Sequence, residues 1–484
     1  MTRELRRLSI AVLIMFLALF TSTTIIQVVQ ADELRNDPRN ARTLYSSYSA
    51  ERGPILVDGT PIAQSVPDDS QYKFQRVYPS PELYAPITGY FTLNQGNSGL
   101  EGALNDYLTG TSNAQFLDQI TAIFTGQNPK GASVETTIDP VVQQAAWDAL
   151  GDQSGAIIAI EPSSGAILAM VSKPSYDPNA LAQHDTSAVI QTYQALNADP
   201  ANPLYNRTIG GNLYHPGSVF KVLMAAAAID SGEFAPETQI PNPPQLQLPQ
   251  SSSIVTNAGG SLCGGGETVS LADALRLSCN IPFAQVGAQL GEATISDYAK
   301  AFGFGESLEI PMSTTASVYP SDMDQAHLML SSFGQGDDRV TPLQIAMISA
   351  AIANGGTLMV PTLVESINAP DLSEIKGPSA EVYSQPVTAQ TAELVKQMMV
   401  AGVSNGAASN ARIDGVDVAG KTGTAENGEG EPYTLWFTGF APADDPKVAV
   451  AVVVENGGGR GQNAFGNQIA APIAKRVLEA VLSR

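Results

Sequence analysis

Pro216-Gly217-Ser218-Val219-Phe220-Lys221 opens an Ala- and Leu-rich stretch with helical patterning over residues 219–229. Residues three apart on a helix share a face, so the Ser218 hydroxyl and the Lys221 amine are neighbours. Serine alone is a weak nucleophile and needs a base to take its proton. A lysine serves as that base only if burial or a second cation lowers its pKa. Pro216-Gly217 puts the serine at a helix N-terminus, where free N–H groups can stabilise an oxyanion. Taken alone, a chance pair of solvent-facing residues explains this spacing better.

Two further clusters change that balance. Ser278-Cys279-Asn280 ends a helical pattern over Leu271–Leu277, and its polar side chains suit proton relay and the holding of a substrate amide. A helix C-terminal polar cap is the plainer reading of that cluster by itself. Lys421-Thr422-Gly423-Thr424-Ala425-Glu426 continues a strand-like segment over residues 416–424. A glycine in a strand permits close approach of another backbone. Lys421 suits a carboxylate, and strand N–H groups suit an extended peptide or an oxyanion. In this order, each cluster lies on the type of element its chemistry requires.

The pattern around them is that of one α+β domain. Gly155-Ala156-Ile157-Ile158-Ala159-Ile160-Glu161 and Ala166-Ile167-Leu168-Ala169-Met170-Val171 flank a Pro-Ser-Ser-Gly turn, which predicts a hairpin of buried strands. Thr341-Pro342 opens a helix over residues 343–353 that Asn354-Gly355-Gly356 stops. Strands return at residues 416–424, 435–440 and Val448–Val454, before an amphipathic helix over Ala470–Leu482. Strands at both ends of a helical middle imply a mixed sheet whose termini pair in space. The glycines of Gly457-Gly458-Gly459-Arg460-Gly461 suggest a mobile loop; a phosphate loop would need a helix start with a following Lys-Ser/Thr.

Residues 31–150 are less regular. Asp37-Pro38, Arg52-Gly53-Pro54 and Pro67-Asp68-Asp69 interrupt short apolar segments, which predicts strands and turns with few long helices. Asp139-Pro140 then opens a helix through Leu150. We expect a division into residues 1–30, 31–150 and 151–484.

Bulk properties narrow the class. The 484 residues are enough for two or three domains of about 100–200 residues. A net charge of −22 argues against nucleic acid as a partner, since phosphate binding needs clustered Lys and Arg. Arg3, Arg6 and Arg7 precede an apolar run over residues 8–29. About 20 residues cross a bilayer, so this run suffices for one span, and its flanking arginines predict a cytoplasmic N-terminus with the body outside. A signal peptide cut after Val29-Gln30-Ala31 is the competing reading, but the apolar part is long for one. In an oxidising compartment Cys263 and Cys279 are either bridged or two buried thiols. His184, His215 and His327 are scattered without ligand-like partners, so neither a metal nor another cofactor is expected.

Ser-x-x-Lys, Ser-x-Asn and Lys-Thr-Gly together form the motif set of penicillin-binding proteins and serine β-lactamases. The chain resembles the class B penicillin-binding proteins from about residue 50 to its end. Arg52-Gly53-Pro54-Ile55 and Gly99-Leu100-Glu101, with Asn105, Leu108 and Gly110, resemble signatures of their N-terminal domain. Thr136-Thr137-Ile138-Asp139-Pro140, residues 165–178, Phe333-Gly334-Gln335-Gly336, Val340-Thr341-Pro342-Leu343-Gln344 and residues 436–442 also fit. The short N-terminal region and lack of extra C-terminal modules are most similar to actinomycete members.

The resemblance implies a penicillin-binding transpeptidase fold behind a strand-rich N-terminal pedestal or dimerisation domain. It implies that Ser218 attacks the penultimate D-Ala carbonyl of a peptidoglycan stem peptide, with Lys221 as base and Ser278 relaying the proton. Asn280 would hold the substrate amide, and Lys421, Thr422, Gly423 and Thr424 the strand side and terminal carboxylate. The N–H groups of Ser218 and Thr424 would form the oxyanion hole, and β-lactams would acylate the same serine. A β-lactamase would be about half this length, without anchor or Gly-Leu-Glu region. A D,D-carboxypeptidase shares the acylation step, and a β-lactam sensor would carry several spans. No glycosyltransferase region is present, so polymerisation falls to a partner, expected to be a membrane glycan polymerase of the shape, elongation, division and sporulation group with its divisome or elongation proteins. Cys279 inside Ser-x-Asn departs from the pattern, and a bridge to Cys263 would staple the Gly-rich loop beside the site.

Overall fold

The structure, a computed structural model, describes residues 2–30, 50–115, 130–258 and 260–484. The expected break at Asp37-Pro38, and Ala31 of the alternative cleavage site, lie outside the described residues. The centre of the larger domain is a five-stranded antiparallel sheet. Its spatial order is Ala419–Ala425, Thr434–Ala441, Val448–Val454, Gly155–Ile160 and Ile167–Lys173. The last three strands of the chain thus join the hairpin that precedes the helices, which is the expected pairing of the two ends. Val448–Val454 and Gly155–Ile160 are buried at every position. Successive side chains point to opposite faces, so a sheet covered on both sides reads as an unbroken apolar run.

Each face has its own core. Ala449, Ala451 and Val453 pack with the central helices, while Val448, Val450, Val452 and Val454 pack beneath Pro140–Leu150 and Ala470–Leu482. Asp139 starts Pro140–Leu150 by accepting the N–H groups of Val141 and Val142, both at 2.9 Å, and Pro140 supplies a preset φ. Helices Lys221–Asp230 and Pro342–Ala353 are apolar around their circumference, and both are buried as that pattern demands. Ser218 itself lies just ahead of its helix, in a 3₁₀ turn over Gly217–Phe220. The glycine run near residue 457 forms a short 3₁₀ turn, Asn456–Gly459, with positive φ at Gly457 and Gly458.

The N-terminal region is strand-rich, with short helices at Pro81–Thr88, Gly99–Ala103 and Asn105–Thr109. Its six-stranded sheet borrows Val364–Asn368 and Glu374–Lys376 from late in the chain, the former paired with Ser133–Thr136. Glu101 is fully buried there. Burial pushes its pKa up, and the guanidiniums of Arg76 and Arg52 more than reverse that, leaving it below the usual carboxylate value. Near the start of the chain, Arg3–Gln27 is one helix long and apolar enough to cross a membrane.

Candidate active site

The nucleophile is placed by two glycines. Gly217 holds φ +54, and a Cβ there would sit 3.1–3.2 Å from Ala425 Cβ, Ala425 N and Thr424 C. Gly334 holds φ +80, and a side chain there would run into the Gly217 backbone, whose N–H donates to Gly334 O at 2.9 Å. Only residues without a Cβ let these backbones meet at positive φ. The Ser218 turn is thereby pressed against the strand that carries Lys-Thr-Gly, and Ser218 stays half-buried.

Lys221 is fully buried beneath it. Its Nζ donates to Ser278 O at 2.9 Å and to Asn280 Oδ1 at 2.8 Å. The rings of Phe283 and Phe333 stand 5.7 and 5.9 Å from the same atom. Burial first, and the facing Lys421 second, push the Lys221 pKa well below the usual lysine value. A neutral amine has two N–H donors and one lone pair. Both donors find acceptors here, which leaves the lone pair free to take a proton. Lys421 is 2% exposed, and burial lowers its pKa to about 7. Its Nζ donates to Ser278 Oγ at 2.7 Å and to Thr422 O at 2.8 Å. Ser278 Oγ accepts there, so its own proton remains available to a leaving group.

Ser278 ends helix Leu271–Leu277 in the left-handed region, φ +65 and ψ +38. A non-glycine residue held there costs about 1–3 kcal/mol and persists only when its surroundings over-determine it. The surroundings are visible: the Ser278 N–H donates to Leu275 O, the Cys279 N–H to Ala274 O, and both lysines hold Ser278 from the side. Cys279 is bonded to Cys263, with Cα atoms 5.8 Å apart, so the bridged alternative is the one found. Asn280 begins the next helix, Asn280–Ala301.

Among the described residues the Lys-Thr-Gly strand, Ala419–Ala425, is the edge of the sheet, so half of its backbone groups face away from the neighbouring strand. It starts later than expected because Val416 bridges Ile413 in a turn. Thr422 Oγ1 donates to Ala407 O at 2.9 Å, and Thr424 Oγ1 accepts from the Gly466 N–H at 3.2 Å. A cleft of about 450 Å³ runs between this edge and Ser218, and Ser278, Asn280, Thr422, Gly423 and Thr424 line it too. Lys221 and Lys421 lie under its floor. The three motifs thus converge on one cleft. A larger cleft of about 540 Å³ between the two regions, lined by Gly99, Tyr176, Tyr205 and Met312, contains none of them. Among the described residues no group of three or more His, Cys, Asp or Glu is placed to hold a metal.

Sequence reasoning missed the other wall of the cleft. Asn257, Phe465 and Asn467 line it, and Asn257 also touches Asn280. Thr256-Asn257-Ala258 has the composition of any polar turn, and no local signal separates it from one.

Residues 155–479 match the family described as the penicillin binding protein transpeptidase domain, and residues 52–134 match the penicillin binding protein A dimerisation domain. The chain belongs to the penicillin-binding protein transpeptidase family. It is 43% identical to the peptidoglycan D,D-transpeptidases PbpA of Mycolicibacterium smegmatis and Mycobacterium tuberculosis, over 100% of this chain and 99% of each relative. Penicillin-binding protein A of M. tuberculosis, solved as a ceftriaxone acyl-enzyme complex, is 42% identical with a TM-score of 0.87. That match covers 90% of this chain and 100% of the solved one. The imipenem acyl-enzyme complex of the same protein matches over the same shares, with a TM-score of 0.85.

Proposed function

We propose that this chain is a peptidoglycan D,D-transpeptidase that works through a Ser218 acyl-enzyme and is inactivated by β-lactams. The observation that carries the reading is the buried Lys221 amine, with both donors engaged, three residues along from a cleft-facing serine. Ser218 Oγ attacks the penultimate D-Ala carbonyl as its proton passes to Lys221 Nζ. Backbone N–H groups of Ser218 and Thr424 hold the oxyanion, and Asn280 holds the substrate amide. Collapse of the tetrahedral intermediate breaks the peptide bond; Ser278 passes its hydroxyl proton to the departing D-Ala amine and takes in exchange the proton that Lys221 received from Ser218. The amine of a second stem peptide then attacks the ester, forming the cross-link and freeing Ser218. Lys421, Thr422 and Thr424 attract the terminal carboxylate. With Thr422 Oγ1 turned to Ala407, Lys421 acts through its hold on Ser278 and through the protonation that a bound carboxylate favours on its amine.

Residues 1–30 form a cytoplasmic tail and membrane anchor, 31–150 a non-catalytic pedestal, and 151–484 the catalytic domain outside the membrane. Anchor and pedestal dock a membrane glycan polymerase serving division or growth; co-purification that survives deletion of residues 1–150 would count against this. The activity is tested with a donor stem pentapeptide and an amine acceptor. A cross-linked product with one equivalent of D-Ala is expected. D-Ala and tetrapeptide without cross-link would mean a carboxypeptidase.

A further inference from the structure

Helix Asn280–Ala301 begins at the active site without a cap of its own. Its N-cap residue is Cys279, whose side chain is bonded to Cys263 and makes no capping hydrogen bond. The first N–H groups of a helix need acceptors, and a buried one left without a partner destabilises the helix. The acceptor comes from 23 residues upstream: Asn257 Oδ1 takes the Asn280 N–H at 2.9 Å and the Ile281 N–H at 3.1 Å. The neighbouring carbonyl, Thr256 O, accepts from Asn280 Nδ2 at 3.0 Å. With its amide nitrogen held there, Asn280 must turn Oδ1 the other way, toward Lys221 Nζ at 2.8 Å.

Asn257 is in turn fixed from below. Its Nδ2 donates to Asn242 Oδ1 at 3.1 Å. Asn242 Nδ2 donates to Cys263 O at 2.7 Å and Gly266 O at 2.8 Å, and its Oδ1 also accepts from the Cys263 N–H. Asn242 is 0% exposed and Asn257 3%. The three asparagines, Asn242 and Asn257 buried and Asn280 at the cleft, form one chain from the disulfide loop to the base.

We propose that Asn257 is a positioning residue for the acylation step: it sets the backbone and side-chain pose of Asn280, and supplies that cap without adding a charge beside Lys221. The inference rests on Lys221 being the base. Aspartate caps a helix as well as asparagine and suits its dipole better. An aspartate here, however, stands one hydrogen bond from the residue that holds the amine. The titratable group facing Lys221 is Lys421, and the phenyl rings of Phe283 and Phe333 are its apolar neighbours. A carboxylate there, reaching Lys221 through Asn280, favours the ammonium over the free amine. The uncharged amide keeps the cap and leaves the amine unprotonated.

The test is the second-order rate of fluorescent-penicillin acylation of the full-length chain from pH 5 to 10. Asn257→Asp is expected to move the midpoint of the rate profile up by about one unit or more, with the rate recovering at high pH. Asn257→Ala is expected to slow acylation about tenfold or more at every pH without moving the midpoint. A folded Asn257→Asp with the wild-type midpoint, or Asn257→Ala acylating at the wild-type rate, overturns the proposal. If Asn257→Asp does not fold, Asn257→Ser decides. A rate closer to wild type than that of Asn257→Ala supports positioning through the acceptor, and a rate equal to Asn257→Ala overturns it. Equal labelling of wild type and Ser218→Ala would instead sink the functional reading itself, so the two failures are distinct.

Discussion

Replacing Lys421 by methionine removes a buried amine at nearly constant volume. Burial brings the Lys421 pKa from 10.5 to about 7 in the folded chain. In the unfolded chain the same lysine keeps its proton to about pH 10.4. Between about pH 7 and 10.5 the unfolded state therefore binds a proton that the folded state has released. Stability rises with pH across that window, and the contribution is lost as pH falls through about 7. At about 1.4 kcal/mol per pH unit, the wild type is about 5 kcal/mol less stable at pH 6 than at pH 10.5 on this account alone. Lys421→Met lacks that dependence. It also loses the hydrogen bonds to Ser278 Oγ and Thr422 O, an offset of about 1–3 kcal/mol that does not vary with pH. The assay is urea unfolding of both full-length chains in detergent, followed by tryptophan fluorescence at steps from pH 6 to 10.5. The stability difference should swing by about 5 kcal/mol toward the variant as pH falls. A difference constant across that range would refute the claim that burial lowers the Lys421 pKa to about 7.

Other perturbations bear on the frame around the site. Reducing the Cys263–Cys279 bridge, which spans 16 residues, should cost about 3 kcal/mol of stability by the chain-entropy relation. Alkylation of the denatured protein with and without reductant checks the bridge by mass, and equal masses would deny it. Glu101→Gln leaves Arg52 and Arg76 buried without their counter-charge, so a loss of about 3–5 kcal/mol is expected in the N-terminal region. Denaturation of the variant measures it, and a loss under 1 kcal/mol would mean that the pair is solvated.

Much of this architecture was legible in the sequence because its elements are strongly periodic. Leu271–Leu277, Val448–Val454 and Ala470–Leu482 have the predicted bounds, since each is an apolar run or stripe ended by a polar or turn residue. Ser218, Ser278, Asn280 and Lys421 were legible as a set because each chemistry needs a particular element under it. What stayed hidden is non-local. Val364–Asn368 reads as a strand of either domain until Ser133–Thr136 pairs with it. Asn257 is an ordinary turn residue until the fold brings the start of Asn280–Ala301 to its amide. The left-handed backbone of Ser278 follows from contacts with Leu275, Lys221 and Lys421, and no local preference of serine announces it. The lowered lysine pKa values arise from burial, which a motif does not display.

The central claim is that Ser218 carries the acyl group, and it is tested most directly by fluorescent-penicillin labelling of wild type and Ser218→Ala, with the adduct mapped by peptide mass. A lasting label on the peptide containing Ser218 in the wild type, and none on Ser218→Ala, is the predicted result. Equal labelling of the two proteins, or an adduct on another residue, would contradict it.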